Sequence, residues 1–198
     1  MLDRTIPFFN TILRCDGYFP RRVTLPDGYR IGAYQPGNER DWARLECAVG
    51  DFDSEEEAAA YFRKKYLAAG NREDILFLMN GRGAVVGSCI AWTDLREGEQ
   101  VNSLHWLVVD EAEQGRGCGR ALCVAVMNRF YARNGRPVYA HTQPWSWKAI
   151  LLYASMGFRL QKTDTFGAYV NQYEDAVRTL RGVLTEAQVR SLEARSDQ

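Results

Sequence analysis

Short apolar stretches along the middle of the chain predict a β-sheet whose strands are separated by helices. Each stretch is rich in β-branched or aromatic residues and is bounded by glycine, proline or asparagine, as strands usually are. The predicted strands cover residues 29–34, 75–79, 84–92, 103–109, 137–142 and 157–160. The turn Asn80-Gly81-Arg82-Gly83 lies between the second and third of these and is typical of a β-hairpin.

Apolar residues spaced three and four apart predict the helices between these strands. The predicted helices run from Asn38 or Asp41 to about 49, then over 54–69, 117–133 and 147–156, and again from about 170. Two capping-box patterns mark helix starts, at Ser54-x-x-Glu57 and Thr185-x-x-Gln188. The segment before residue 29 is expected to form a short helix and a loop. Alternating helices and strands indicate an α/β layer structure on a mixed sheet.

Residues 107–120 join the end of a strand to a glycine-rich loop and a helix, and read L-V-V-D-E-A-E-Q-G-R-G-C-G-R. Glycines let the backbone turn tightly and present free N–H groups, and the N-terminus of a helix adds a partial positive charge. Arg116 and Arg120 add full positive charges beside this loop. The arrangement predicts a site for a phosphate or pyrophosphate group.

The spacing within this loop distinguishes several kinds of phosphate site. A P-loop requires Gly-Lys followed by Ser or Thr, which the loop lacks, and the dinucleotide fingerprint requires a third glycine where Arg120 stands. The pattern that fits is Q-x-x-G-x-G, formed by Gln114, Gly117 and Gly119. It resembles the acyl-CoA-binding motif of the GNAT superfamily of N-acetyltransferases. Residues 149–158, A-I-L-L-Y-A-S-M-G-F, are similar to a second signature of that family, A-I-x-L-Y-x-x-x-G-F.

The resemblance covers residues 29–165 and implies a fold and a cosubstrate. The implied fold is α/β, with a mixed, mostly antiparallel sheet whose central strands splay apart and whose flanks carry helices. Acetyl-CoA is implied as the cosubstrate, lying in the opening. The implied cofactor-binding residues are Val108, Val109, Gln114, Gly115, Arg116, Gly117, Cys118, Gly119, Arg120 and Ser146. Ser146 stands where the family often has asparagine, and residues 164–181 look more helical than the family's usual last strand.

Acyl transfer from a thioester to an amine needs a base and an acid. The amine arrives mostly as ammonium and must lose a proton, and the departing thiolate benefits from gaining one. By resemblance, Tyr153 is the general acid; the alternative is a buried aromatic whose hydroxyl bonds to a backbone group. Cys118 lies on the apolar helix face, which gives an acyl-cysteine route little support.

His105 is the candidate base. It lies four residues before Val109, which places both side chains on one face of the strand, and arylalkylamine-type members of the family carry a base histidine at the matching place. The alternative reading, a core histidine, stays open. Further candidates for contact with the acceptor are His141, Gln143, Glu46 and Asp51, although helix initiation accounts for most of the acidic run at 51–57.

The amino-acid composition limits the classes of binding partner that the chain is expected to have. Lys+Arg and Asp+Glu are both 25, so the formal net charge is zero, which argues against a basic nucleic-acid surface. No apolar run approaches the ~20 residues of a membrane span, and no signal peptide is evident. The five cysteines form no C-x-x-C pair and are interpreted as reduced thiols in a cytoplasmic protein without a metal site. The expected partner is a small-molecule or peptide amine, and a homodimer is left open.

Two functions of different classes remain. The leading hypothesis is an N-acetyltransferase that moves an acetyl group from acetyl-CoA to a primary amine by direct attack in a ternary complex. The alternative is a non-catalytic acyl-CoA-binding or sensing module. The expected organisation is an N-terminal extension at 1–28, an acetyltransferase domain at 29–165, and a helical C-terminal extension at 166–198 packed on that domain.

Overall fold

The computed structural model describes residues 3–68, 71–96 and 99–196. The strands are β1 (Thr11–Cys15), β2 (Arg30–Ala33), β3 (Ile75–Met79), β4 (Val85–Arg96), β5 (Glu99–Val109), β6 (Val138–Thr142) and β7 (Arg159–Leu160). The helices are α1 (Asn38–Val49), α2 (Glu55–Phe62), α3 (Cys118–Ala132), α4 (Trp147–Met156), α5 (Tyr173–Arg181) and α6 (Glu186–Glu193). A π-helical segment, Arg63–Leu67, continues directly from α2.

Hydrogen-bonded neighbours follow the order β2-β3-β4-β5-β6-β1-β7 in a seven-stranded sheet. Strand β1 is antiparallel to both β6 and β7, and β3 is antiparallel to β2 and β4. Strands β5 and β6 are parallel, with a ladder from Asn102↔Val138 to Leu104↔Ala140. The prediction of a mixed, mostly antiparallel sheet with flanking helices is therefore confirmed.

The N-terminal segment departs from the prediction of a short helix and a loop, because residues 11–15 form a strand inside the sheet. Leu13 pairs with Ala140 on one side and with Leu160 on the other. Ile12 and Leu13 are both buried, as expected where a strand has neighbours on both edges and its two faces are covered. The sheet thus has one strand more than the sequence predicts, and that strand comes from the segment expected to lie outside the domain.

The described chain forms two compact units. The first contains Pro20–Ala91 and His105–Arg129, and so holds β2, β3, α1 and α2. The second contains residues 3–19, Trp92–Leu104 and 130–196, and so holds β1, β6, β7 and the last three helices. Strands β4 and β5 and helix α3 run through both units.

Local capping chemistry explains where several helices begin. The Ser54 hydroxyl accepts a hydrogen bond from the Glu57 N–H at 3.2 Å at the start of α2, and α6 starts with a complete capping box. Helix α1 begins after Gly37, whose left-handed φ of 105° makes glycine the favoured residue. Asn38 and Asp41, the predicted caps of α1, instead bond to each other. The predicted end of the second helix at 69 lies outside the described residues.

Strands β4 and β5 are longer than predicted. Strand β4 continues to Arg96, and β5 begins at Glu99 instead of Ser103. The polar residues in these extensions hide the apolar pattern on which the prediction depends. None of the helices in the described ranges combines the length and the apolar character that crossing a bilayer requires.

Candidate active site

The glycine-rich loop after β5 has the backbone that an anion cradle needs. Gly115 and Gly117 have φ of 78° and 84°, in the left-handed region that favours glycine. A Cβ atom at either position would have no other atom within 4 Å, so open space adjoins both residues. Helix α3 follows at once, and its first turn closes with the Ala121 N–H donating to the Gly117 carbonyl at 3.0 Å. The N–H groups that precede Ala121 in the helix have no intrahelical acceptor, so they can bind an anion.

A small polar network holds the Arg116 side chain. The Tyr29 hydroxyl donates to the Glu113 carboxylate at 2.5 Å and accepts from the Arg116 guanidinium at 3.2 Å. The guanidinium also lies 3.3 Å from the same carboxylate. The hydrogen bond from Tyr29 lowers the pKa of Glu113, with Arg116 acting in the same direction. The charge of Arg116 is therefore partly compensated within the loop, which the sequence alone does not indicate.

The end of β5 turns the backbone of Val109 away from β4. The Asp110 N–H donates to the Val86 carbonyl of β4 at 2.8 Å, and a Cβ on Gly87 would lie 2.8 Å from the Val108 carbonyl oxygen. Because successive peptide groups in a strand alternate in direction, the N–H and C=O of Val109 point to the other side. The Gln114 side chain donates to that carbonyl at 3.1 Å, which ties the loop to the strand.

His105 lies on the same strand and has a specific partner. The Tyr66 hydroxyl is 3.0 Å from Nδ1 of His105, and the two rings meet edge to face with an interplanar angle of 84°. Tyr66 is 1% exposed and belongs to the π-helical segment, whereas His105 is half-buried. The sequence does not suggest Tyr66 as part of a site, because it is far from His105 in the chain and lies in no recognisable motif.

An aromatic cluster surrounds the residue that follows His105. Trp106 has φ of 49°, which is uncommon for a non-glycine residue in a strand and marks a local break in its regularity. Its ring centroid lies 5.3 Å from Trp42, 5.6 Å from Phe52 and 5.8 Å from Tyr61. The break turns this side chain into a cluster built by α1, α2 and the connection between them.

Glu46 lies one helical turn after Trp42 and is 1% exposed. Its Oε1 atom has no hydrogen-bond partner, and burial raises the pKa of its carboxyl group, with nearby Asp51 adding to the rise. Burial thus favours the neutral acid and keeps it from solvent. As the structure stands, Glu46 does not offer a surface carboxylate to an acceptor amine, and Asp51 is the exposed member of the pair.

The remaining candidates belong to the second unit. Tyr153 of α4 is 5% exposed, and its ring packs against Phe158 with the centroids 5.7 Å apart. The Ser146 hydroxyl accepts a hydrogen bond from the Gln143 amide at 3.1 Å, which occupies both of these side chains locally. The His141 ring is half-buried and stacks on the Tyr169 ring, with the centroids 3.6 Å apart.

The cysteines are buried or half-buried thiols, and none is in a disulfide. Burial raises the pKa of Cys118, and it raises that of Cys123 to about 12. A thiol with a raised pKa is a poor nucleophile at neutral pH. Within the described ranges, His, Cys, Asp and Glu side chains form no group of three suited to a metal ion.

Comparison with known proteins identifies the family. The model of the acetyltransferase (GNAT) family matches residues 40–158, which is more than half of the chain. The chain belongs to the GNAT family. This match contains the glycine-rich loop, His105 and the second signature, so the predicted membership is confirmed.

Curated relatives and solved structures agree with this assignment. Mycothiol acetyltransferases of Amycolatopsis mediterranei and Saccharomonospora viridis are 30% and 29% identical, over 71% of this chain and 49% of each relative. The chain thus spans about half the length of these curated relatives. A GCN5-related N-acetyltransferase from Sphaerobacter thermophilus superposes with a TM-score of 0.61 at 21% identity, covering 79% of this GNAT chain and 51% of the other. An acetyltransferase from Colwellia psychrerythraea gives 0.61 at 12%, covering 78% and 54%. These structural likenesses show the fold.

Proposed function

We propose that this GNAT chain is an N-acetyltransferase that moves an acetyl group from acetyl-CoA to a primary amine by direct attack in a ternary complex. The observation that carries the proposal is the turn at Gly115 and Gly117. Two left-handed glycines with open space beside them stand between the end of β5 and the start of α3. That backbone suits the pyrophosphate of a coenzyme A molecule, and the chain lacks the lysine and the third glycine that other nucleotide sites require.

The same residues define how acetyl-CoA is held. The N–H groups from Gly115 to Gly119 bind the pyrophosphate, with Arg120 adding positive charge; the Gln114 N–H already donates to the Glu111 carbonyl at 3.3 Å. The Val108 carbonyl faces β4, so the backbone of Val109 binds the pantetheine arm. Acetyl-CoA supplies the acetyl group as a thioester, whose carbonyl oxygen becomes more negative during the reaction. The Val109 N–H, which points away from β4, donates a hydrogen bond to that oxygen and stabilises the charge.

Two side chains carry the protons. His105 accepts a proton from the acceptor's ammonium group, which frees the nitrogen lone pair for attack. Tyr153 donates its phenolic proton to the departing sulfur, and the second proton that the nitrogen loses as the amide forms restores the Tyr153 phenol. Cys118 takes no covalent part, since its thiol is buried and its pKa is raised. The reaction therefore needs no acyl-enzyme intermediate.

The acceptor is a small-molecule amine in this proposal. The curated relatives are named as mycothiol acetyltransferases, so their names favour a small molecule over a peptide. The formal net charge of zero agrees with this class, because a protein that binds a charged polymer usually carries a net charge of the opposite sign. Five thiols without a disulfide support a cytoplasmic location as part of the same proposal.

A thiol-release assay tests the proposal directly. The purified chain is incubated with acetyl-CoA and a panel of small primary amines and lysine-containing peptides, and mass spectrometry identifies any N-acetylated product. Amine-dependent release of CoA thiol is the expected result, strongest among the small molecules. Calorimetry with CoA and NAD runs in parallel. Tight CoA binding without release on any amine would favour the non-catalytic acyl-CoA module, and NAD binding tighter than CoA would contradict both functions.

A further inference from the structure

We propose that Tyr29 is a positioning residue that holds the glycine-rich loop in the conformation that binds coenzyme A. The inference rests on the proposed function, because it concerns the cradle for the pyrophosphate. Tyr29 lies outside both sequence motifs, and 84 positions separate it from Glu113, the residue through which it acts. Both residues belong to the first unit.

The hydrogen bonds of the Tyr29 hydroxyl have defined directions. The hydroxyl donates to the Glu113 carboxylate at 2.5 Å and accepts from the Arg116 guanidinium at 3.2 Å. The first bond lowers the pKa of Glu113, so its carboxylate is ionised at neutral pH and can only accept, and a guanidinium can only donate. The same bond raises the pKa of Tyr29, which keeps the proton on the phenol. One hydroxyl group therefore joins the side chains on either side of Gly115, and we call Tyr29, Glu113 and Arg116 the Tyr29 clamp.

The bond between Tyr29 and Glu113 is the stronger part of the Tyr29 clamp. The Glu113 side chain is 15% exposed, whereas the Arg116 side chain is 57% exposed. An exposed ion pair contributes little by itself, because water screens it. A short hydrogen bond to a largely covered carboxylate is among the stronger ones. Glu113 is therefore the anchor, and the Arg116 guanidinium, 3.3 Å from the same carboxylate, extends the hold to the residue between Gly115 and Gly117.

Backbone hydrogen bonds hold the chain before and after the anion-binding turn. The Gln114 N–H donates to the Glu111 carbonyl at 3.3 Å, and the Ala121 N–H donates to the Gly117 carbonyl at 3.0 Å. Between these bonds lie residues 115–117, whose N–H groups the proposed function places against the pyrophosphate. Glycine has more backbone freedom than any other residue, so a turn with two glycines loses much entropy when a ligand orders it. Ordering the turn beforehand removes part of that cost and strengthens binding.

The Tyr29 side chain is itself carried by a well-supported turn. Its N–H closes the turn before β2 by donating to the carbonyl three residues earlier at 3.1 Å. A Cβ on Gly28 would lie 3.4 Å from the Cα of Gly81, so this turn packs closely on the hairpin between β3 and β4. Asn80 of that hairpin also lowers the pKa of Glu113 through a side-chain hydrogen bond. The turn before β2 and the hairpin thus converge on the same carboxylate.

Backbone ¹⁵N relaxation tests the Tyr29 clamp in the unliganded protein. The amides of Gly115 and Gly117 are expected to have order parameters near the rigid value of ~0.85 in the wild type and to fall towards ~0.6 in Tyr29→Phe. That substitution keeps the ring and removes no charge. Tyr34→Phe is the matched control, because it removes a hydroxyl that donates to another carboxylate, that of Glu39, at 2.7 Å, and it should leave both glycines rigid. Glycines that are as flexible in the wild type as in Tyr29→Phe overturn the inference.

Calorimetry with CoA then measures what the ordered loop contributes. Tyr29→Phe should weaken CoA binding about 5- to 20-fold, because the ligand must order the loop as it binds. The dependence of Kd on salt should stay that of the wild type, since no charge has been removed. In turnover, the KM for acetyl-CoA should rise by a similar factor while kcat changes little. Unchanged CoA affinity in Tyr29→Phe overturns the inference, and Tyr34→Phe should bind CoA as the wild type does.

A double variant shows whether Tyr29 acts through Glu113. In a Glu113→Ala background, adding Tyr29→Phe should weaken CoA binding little further, because the anchor that Tyr29 holds is already gone. An equal loss of affinity in both backgrounds assigns Tyr29 a role independent of Glu113 and overturns the inference. A wild type whose glycines are rigid but which binds no CoA instead contradicts the proposed function, while the relaxation data still report on the Tyr29 clamp.

Discussion

His141 should make the stability of the protein depend on pH in a way that one substitution removes. It lies in β6 with its ring stacked on Tyr169, centroids 3.6 Å apart and planes 13° apart. Its Nε2 atom is 2.8 Å from the Asn10 side-chain oxygen, an arrangement in which the neutral ring donates its Nε2–H. Burial lowers the pKa of His141 to about 4. The folded protein therefore keeps this ring neutral at pH values where an exposed histidine is charged.

The sign and size of the effect follow from linkage. The pKa of histidine in an unfolded chain is ~6.5, whereas the pKa of His141 in the folded protein is about 4. Between these values the unfolded state binds more protons, so the free energy of unfolding falls as the pH falls from 6.5 to 4. The full difference corresponds to at most about 3 kcal/mol. Because the side chain is only partly covered, we expect a loss of about 1–3 kcal/mol by pH 4.

Urea unfolding of the wild type and of His141→Gln, measured at several pH values, checks this expectation. The variant lacks the ring stack and should be less stable near neutral pH, but its deficit should shrink or reverse in acid because it has no proton to take up. His105→Gln, which changes the only other histidine and keeps His141, is the matched control and should retain the loss of stability in acid that His141 causes. A deficit of His141→Gln that stays constant from neutral to acid pH refutes the reasoning, as does a ring that titrates near 6.5 by NMR.

Three further outcomes are expected. Gly117→Val should weaken CoA binding at least about tenfold, since a branched residue strains the left-handed backbone and fills the open side of the cradle; unchanged affinity in a folded variant contradicts the cradle. Tyr153→Phe should lower kcat by about 10²–10⁴ with CoA affinity nearly intact, and normal turnover would assign the acid role elsewhere. Leu13→Ala should lower the free energy of unfolding by about 2–5 kcal/mol, whereas Val170→Ala, at a 71% exposed position, should change it little; equal effects by denaturant titration would contradict the interior placement of β1.

The features that sequence analysis predicts correctly are those that depend on residues close together in the sequence. The hairpin at Asn80, the helix cap at Ser54 and the strand–loop–helix sequence around Gly117 each depend on chemistry within a few positions. Turn geometry and helix capping depend on residues within a few positions of one another, so the amino-acid sequence is sufficient to predict them. The roles of the site residues remain predictions, because they concern a ligand and not the backbone.

The features that sequence analysis misses depend on distant parts of the chain. The run at Thr11–Cys15 is short and contains an arginine. Its partner strands are β6 and β7, far along the chain, so no neighbouring turn sequence indicates that it pairs as a strand. A short apolar run of this kind does not distinguish strand from helix by itself. The contact between Tyr66 and His105 is missed for the same reason, and the π-helical turn that carries Tyr66 has no sequence signature.

The interior position of β1 has a consequence for how the protein is made. A ribosome releases β1 before β6 and β7, yet Thr11 pairs with Thr142 and Leu13 with Leu160, about 130 to 150 positions later in the chain. At a synthesis rate of roughly 5–20 residues per second, the strand waits on the order of 7–30 s for its neighbours. Throughout that interval its apolar side chains and both rows of backbone groups are unpaired, the condition in which nascent strands associate with one another or with chaperones. The yield of folded protein in a cell is therefore expected to depend on what protects β1 until β6 and β7 have been synthesised.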